Sequence, residues 1–365
     1  MRVMLLGAGS VIHTQRWANG LVGAGVQLTC VSQHDFLTGG WDDRVDRVRL
    51  RISGRAGYLL NGSEVKRLFD ARGCDLLNAH YATGYGVLAS LAGVRPRLLS
   101  VWGSDVYDFP RVSPLHRALL RRVLASADGL ASTSVAMAGQ TELVLGSARR
   151  TIAITPFGVD LDAFVPRAQG GDPAAPLVVG TVKTLAAKYG IDTLLRAFAH
   201  LAPRHDGREL RLRIVGDGPD RALLQALAAR LGIAERCEFV GAVAHADVPA
   251  QLRSFDVFVA ASRLDSESFG VAVIEASACA LPVVVTRVGG LPEVVNEGET
   301  GLVVEREDEA ALARAIQRLI GDAALRERLG RNGRAWVRQR YEWSACIDRM
   351  VRAYRDVLVA REQRA

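Results

Sequence analysis

The chain has 365 residues, 49% of them apolar, and its 46 Lys and Arg against 39 Asp and Glu give a formal net charge of +7. That length is too great for one small core and predicts two domains, each with enough apolar residues to fill its interior. The composition excludes a disordered chain, and no stretch is apolar for long enough to span a bilayer.

Apolar runs predict strands over 2–6, 27–32, 75–78, 98–101, 129–132 and 151–154 in the first half. In the second half they predict strands over 177–182, 211–215, 237–240, 256–261, 282–286 and 302–304. Helical periodicity fills most of the gaps, for example Thr193–Leu201, Arg221–Leu231 and Val271–Cys279. Strand and helix in alternation predict parallel sheets with helices on both faces, an α/β chain of two doubly wound domains. The Pro/Gly-dense stretch 166–176 is the expected linker. Residues 1–165 with a returning helix in 340–365 would make the first domain, and 177–339 the second.

The five cysteines, Cys30, Cys74, Cys237, Cys279 and Cys346, are scattered and form no CxxC pair. They fit reduced, buried thiols and argue against a metal site. The opening run Arg2–Gly7 is too short for the apolar core of a signal peptide, so a soluble cytoplasmic protein is expected.

In open parallel sheets, ligands sit outside the carboxyl ends of the strands. The unusual loops fall there: Lys183–Lys188, Gly216-Asp217-Gly218, Gly241–Val243, the Glu267 loop and Gly289-Gly290 in the second half. Gly7–Ser10, His80 and Gly103–Asp105 occupy the matching edge of the first. Two such edges facing each other would make a cleft.

Glu267 and Glu275 are the most telling pair, with seven residues between them. The first lies in a strand-to-helix loop and the second just over one turn into the helix. The start of that helix, with the N–H groups of Phe269, Gly270 and Val271, favours an anion. Two hydroxyl-accepting carboxylates beside a phosphate-sized anion site suit a sugar joined to a nucleotide through phosphate. Solvated surface glutamates would be the ordinary alternative.

With these residues in place, the chain resembles the GT4 glycosyltransferases, retaining enzymes of the GT-B fold. The resemblance rests on Pro156-Phe-Gly-Val-Asp160 with Phe164 and Pro166, on Gly180–Leu185 with Lys188-Tyr-Gly190, and on Leu212–Pro219 and Phe239–Gly241. The E-x7-E run 267–275, Gly289–Glu293 and Thr300–Leu302 complete it. It implies two Rossmann-like domains facing across a cleft and a nucleotide-sugar substrate, with uridine favoured and guanosine second. Glu275 would accept from the ribose and Glu267 from the transferred sugar. Lys188 would neutralise the diphosphate, together with Lys183, which stands where many relatives carry arginine. Gly9, Ser10, Ser268, Phe269, Gly270 and Val271 would line the phosphates, and Gly216, Asp217, Gly218 and Val243 the nucleoside. His80 would help position the sugar near the reacting centre. Asp105 would orient or deprotonate the attacking hydroxyl, unless it serves as a helix cap. His13, Arg16, Trp102 and Ser104 would line the acceptor side. Asp160-Leu-Asp162 would close the first domain, and neither metal nor cofactor is expected.

Other features bear on partners. Position 12 is Ile and Val31-Ser32 end the second strand, so the first-strand GxG lacks the third glycine and acid of a dinucleotide site. Residues 166–339 hold 22 Lys and Arg and 22 Asp and Glu, so the whole +7 belongs to the remainder. Arg111, His116, Arg117, Arg121 and Arg122 concentrate it on one amphipathic helix that could rest on an anionic membrane. A glycan or polyprenyl-diphosphate-linked acceptor at the inner face of the cytoplasmic membrane follows as an expectation, and the family resemblance implies a setting in surface polysaccharide or lipopolysaccharide assembly. Nothing suggests nucleic acid as a partner. A nucleotide-sugar epimerase of the same fold and a non-catalytic binding module are the rival readings.

Overall fold

The computed structural model describes residues 1–146, 150–168 and 174–363. The chain divides into two compact units, Met1–Pro156 with Trp343–Ala365, and Phe157–Glu342.

The first unit carries seven strands: β1 (Arg2–Leu6), β2 (Gln27–Ser32), β3 (Asp46–Arg49), β4 (Leu76–His80), β5 (Arg97–Val101), β6 (Gly129–Ser132) and β7 (Ile152–Ile154). All pair in parallel in the order β3-β2-β1-β4-β5-β6-β7. The central strands β1, β4 and β5 read as apolar runs because helices cover them on both faces, burying nearly every residue. β3, Asp-Arg-Val-Arg, escapes such a reading: it is a charged strand at the sheet edge, where charge is tolerated and protects the edge. The terminal helix Trp343–Glu362 packs on this unit, where Asn78 Nδ2 donates to Tyr354 Oη at 3.1 Å and the Trp17 and Trp343 rings lie 5.5 Å apart.

The second unit holds β8 (Leu177–Val182), a two-residue β9 (Arg204–His205), β10 (Arg208–Val215), β11 (Cys237–Gly241), β12 (Val257–Ala260), β13 (Val283–Thr286) and β14 (Gly301–Val304). Its parallel order is β11-β10-β8-β12-β13-β14, with β9 antiparallel to β10. One core of leucine, isoleucine and valine from β8, β10 and β12 meets the helices Ile191–Ala199 and Glu309–Gly321.

The chain passes between the units at Pro156, ahead of the expected linker 166–176, of which residues 169–173 lie outside the described residues. Residues 157–165 stay with the second unit for a physical reason. Val159 N–H donates to Tyr341 O at 2.8 Å, Phe164 is buried, and Arg334 Nη1 donates to Phe164 O at 2.8 Å. Asp160 belongs to that same turn, its Oδ1 accepting from the N–H of Asp162 at 2.9 Å and of Ala163 at 3.2 Å.

Candidate active site

Along the carboxyl edge of the second sheet, five loops are laced together by main-chain hydrogen bonds. Lys183 N–H donates to Val215 O at 2.9 Å, Leu185 N–H to Asp217 O at 3.0 Å, and Gly216 N–H to Gly241 O at 2.8 Å. Arg263 N–H donates to Lys188 O at 2.9 Å, and Gly290 N–H to Glu267 O at 3.1 Å. Only glycine permits approaches this close. A Cβ on Gly216, where φ is +131°, would sit 1.9 Å from Lys183 O, and one on Gly218 would sit 2.4 Å from Leu185 O. Gly216 and Gly218 therefore seat the lysine loop against the end of β10. Asp217 stays local, accepting from Gly218 N–H at 2.7 Å and facing Arg221 at 3.4 Å.

Lys183 Nζ pairs with Glu267 Oε1 at 2.9 Å, with side-chain exposures of 19% and 10%. Partial burial strengthens such a pair relative to a surface one. Lys183 and Lys188 each hold Nζ 4.7 Å from the centre of the Tyr189 ring, a geometry in which the ring quadrupole attracts both cations. Glu275, the fifth residue of the helix Val271–Ala278, is buried and its Oε1 accepts from His245 Nε2 at 3.0 Å. That helix starts after Gly270 at φ +99°. Phe269 is buried between Phe157 at 5.9 Å and Tyr341 at 5.5 Å, Ser268 is buried, and Val271 and Val243 are half-buried. The sequence pattern brought Lys183, Lys188, Glu267 and Glu275 to one edge but missed Tyr189 and His245. A tyrosine adjoining a lysine was visible there; His245 carried no local signal.

The carboxyl edge of the first sheet gathers a second cluster. His80 ends β4, is 2% exposed and lies with its ring 4.8 Å from that of Trp102 at a 46° tilt, while His13 meets the Trp102 edge at 6.2 Å. Both His80 ring nitrogens are buried without a hydrogen-bond partner. Burial alone holds the imidazole neutral, pushing its pKa down to about 3. Tyr85 Oη, another residue absent from the sequence reading, receives Gln33 N–H at 3.1 Å and lies 2.7 Å from His34 Nδ1.

Two expectations for this edge need correction. Gly9 N–H donates to Ser32 Oγ at 2.9 Å, so it is not available to a phosphate, and its small size is needed because a Cβ would strike Phe36 at 2.6 Å; the neighbouring Ser10 is exposed. The Asp105 carboxylate is 1% exposed and accepts from Ala82 N–H at 2.7 Å, Gly103 N–H at 2.8 Å and Trp102 N–H at 3.2 Å. Burial pushes its pKa up against those bonds. It is a loop-ordering acceptor, the capping use of aspartate, and not a base open to a hydroxyl. Arg16 lies over the Trp343 ring at 4.6 Å, and Ser104 Oγ is hydrogen-bonded to Tyr81 Oη. Among the described residues, no group of three or more His, Cys, Asp or Glu is placed to hold a metal ion.

Known proteins match both units. Residues 166–336 fit the family model described as Glycosyl transferases group 1, and residues 2–134 the one described as Glycosyl transferase 4-like. A Mycolicibacterium smegmatis protein named GDP-mannose-dependent alpha-(1-6)-phosphatidylinositol monomannoside mannosyltransferase is 34% identical over 271 residues, 71% of this chain and 69% of that one. The chain is a GT4-type glycosyltransferase. Its fold is GT-B, shared with sucrose-phosphate synthase from Thermosynechococcus elongatus at TM-score 0.83 and 24% identity, over 99% of this chain and 100% of that one. Anabaena HepE in complex with UDP matches at TM-score 0.80 and 19% identity, over 98% and 100%. The loops of the second-sheet edge carry both the carboxylates Glu267 and Glu275 and the cations Lys183 and Lys188.

The remaining surface feature is the helix Pro114–Ser126, capped by Ser113 and buried through Leu120, Val123 and Leu124. Arg111 stands on a separate short helix, Phe109–Val112, because Ser113 breaks the run. Outward lie Arg117, Arg121 and Arg122, with Leu115 at 76% and Leu119 at 41% exposure. No helix among the described residues is long and apolar enough to cross a membrane.

Proposed function

We propose that this glycosyltransferase transfers a sugar from a nucleoside diphosphate sugar to a hydroxyl of a lipid-linked or glycan acceptor, keeping the anomeric configuration. The observation that carries the reading is the convergence of Glu267, Glu275, Lys183 and Lys188 on one edge of the second sheet. Glu275 accepts the ribose hydroxyls and Glu267 those of the transferred sugar. Lys183 and Lys188 meet the diphosphate, and their charge gains most in the transition state as the leaving group becomes more negative. No metal is assigned to that task. The sequence puts uridine first; the similarity to a mycobacterial protein named as GDP-mannose-dependent moves guanosine ahead of it and favours a GDP-sugar.

The acceptor belongs to the first unit. His80, neutral at ordinary pH, is suited to a hydrogen bond with the sugar or the incoming hydroxyl and unsuited to being a permanent cation. With Asp105 enclosed by main-chain N–H groups, no side chain at this edge is offered as general base. Attack on the same face, with the departing phosphate taking the proton, is the mechanism the family resemblance favours. The phosphatidylinositol-based acceptor in the relative's name favours a lipid acceptor. The Leu115, Leu119, Arg117, Arg121 and Arg122 surface is suited to an anionic bilayer beside it.

A thermal-shift panel with GDP, UDP, ADP and NAD on the wild type and Glu275→Ala tests the nucleotide assignment. One nucleoside diphosphate should stabilise the wild type and not the variant, and its sugar derivatives should then be consumed with acceptor. Stabilisation by NAD alone, or a diphosphate shift untouched by Glu275→Ala, would overturn it. Binding without turnover would favour the non-catalytic module.

A further inference from the structure

We propose that His245 is a positioning residue of the nucleoside site, one that fixes the Glu275 carboxylate in the orientation the ribose requires. The proposal rests on the assignment of Glu275 to the ribose.

Glu275 has 5% of its side chain exposed and His245 34%, with Nε2 and Oε1 3.0 Å apart. An ionised carboxylate has no proton to give, so Nε2 carries the hydrogen and donates. The bond joins two residues 30 positions apart, from the loop after β11 to the helix after β12. His245 is itself held from a second direction. Its ring lies 5.9 Å from that of Phe164, which is 2% exposed. Its backbone opens a tight turn, His245–Asp247, closed by Asp247 N–H on Ala244 O at 2.9 Å and running into the helix Val248–Arg253. A ring wedged between a buried phenylalanine and a buried carboxylate is a brace. It is poorly built to swing aside when ligand arrives.

The chemistry explains why a brace matters. A ribose offers vicinal hydroxyls, and one carboxylate receives both only if its plane is already set. Glutamate has three side-chain torsions, and an unbraced one must be ordered by the ligand at the expense of affinity. The bond from His245 fixes Oε1, and with it the carboxylate plane. Because the nucleoside is bound alike in ground and transition states, the brace should act on affinity and leave the chemical step alone.

The test is calorimetric titration of the full chain with GDP and with UDP, on the wild type, His245→Ala, His245→Gln, Glu275→Ala and the His245→Ala/Glu275→Ala double variant. His245→Ala should raise Kd about ten-fold, the size of a lost hydrogen bond to a charged group. His245→Gln, whose amide N–H can reach the same oxygen, should recover to within about three-fold of wild type. In the Glu275→Ala background, removing His245 should change Kd by less than about two-fold. The sugar-donor KM should rise in His245→Ala with kcat unchanged. An undiminished His245→Ala effect without Glu275 would mean that His245 touches the ligand itself, and would overturn the proposal. Unchanged or tighter binding by His245→Ala would do the same, the tighter result marking His245 as a cover that ligand displaces. A Glu275→Ala protein that binds both nucleotides like wild type would instead remove the ribose assignment, and this proposal with it. Unliganded melting temperatures close to wild type would certify that the variants are folded.

Discussion

Gly290→Ala isolates one tight contact beneath the candidate site. Gly290 has φ −88°, a conformation alanine adopts without strain, so any effect must be steric. The new Cβ would lie 2.1 Å from Ser268 O, 2.7 Å from Ser268 C and 2.9 Å from Phe269 Cα. Carbon and carbonyl oxygen rest at roughly 3.3 Å, so one of the two segments must retreat by about 1 Å. Forced overpacking of this kind costs about 1–3 kcal/mol. Stretching the Gly290 N–H to Glu267 O bond, now 3.1 Å, adds about 1 kcal/mol. For a unit of this size the melting temperature of Phe157–Glu342 should drop by roughly 4–15 °C. The displaced residues follow Glu267 directly, so kcat/KM for transfer should fall about 100-fold, the usual toll of a misplacement on this scale. Gly298→Ala is the control: φ is +80° and nothing lies within 4 Å, leaving backbone strain alone, about 1–2 kcal/mol. Calorimetric melting and steady-state kinetics on both variants decide the matter. If Gly290→Ala melts and turns over like Gly298→Ala, the clamp beneath Glu267 is not what orders this loop.

Three further outcomes are expected. Folded His80 stays neutral down to about 3, whereas unfolded it takes a proton near 6.5, so the unfolded state binds more protons between those values. Stability should therefore be lost as pH falls below the upper value, by about 1.4 kcal/mol per pH unit from this residue, and His80→Gln should lack that slope in denaturant midpoints. Lys183→Ala and Lys188→Ala should each weaken GDP or UDP binding by about ten-fold in calorimetry. Only Lys183→Ala should also lower the melting temperature, because it strands a nearly buried Glu267, and adding Glu267→Gln should restore it; equal melting of the two lysine variants would refute the pairing. Reversing Arg117, Arg121 and Arg122 to glutamate should abolish co-sedimentation with anionic vesicles at low salt, and retained binding would rule out this helix as the contact.

Much of this protein was determined by its sequence alone. Strands such as Arg2–Leu6 and Leu177–Val182 are continuous apolar runs because both their faces are covered, and that pattern is local. Glu267 and Glu275 declare a loop and a position just past the first helical turn through spacing, and Gly216, Gly218, Gly289 and Gly290 mark where backbones must touch. What the carboxylates and amides bond to was not local. Lys183 reaches Glu267 across 84 positions and His245 reaches Glu275 across 30. Asp105 turned to three main-chain N–H groups, and Gly9 N–H was taken by Ser32 from the neighbouring strand. Those choices depend on the strand order β11-β10-β8-β12-β13-β14 and its counterpart in the first unit, which set which loops lie side by side. Periodicity reports how each segment meets its own core. Only the assembled sheet determines which loop stands next to which, and so which buried polar group satisfies which.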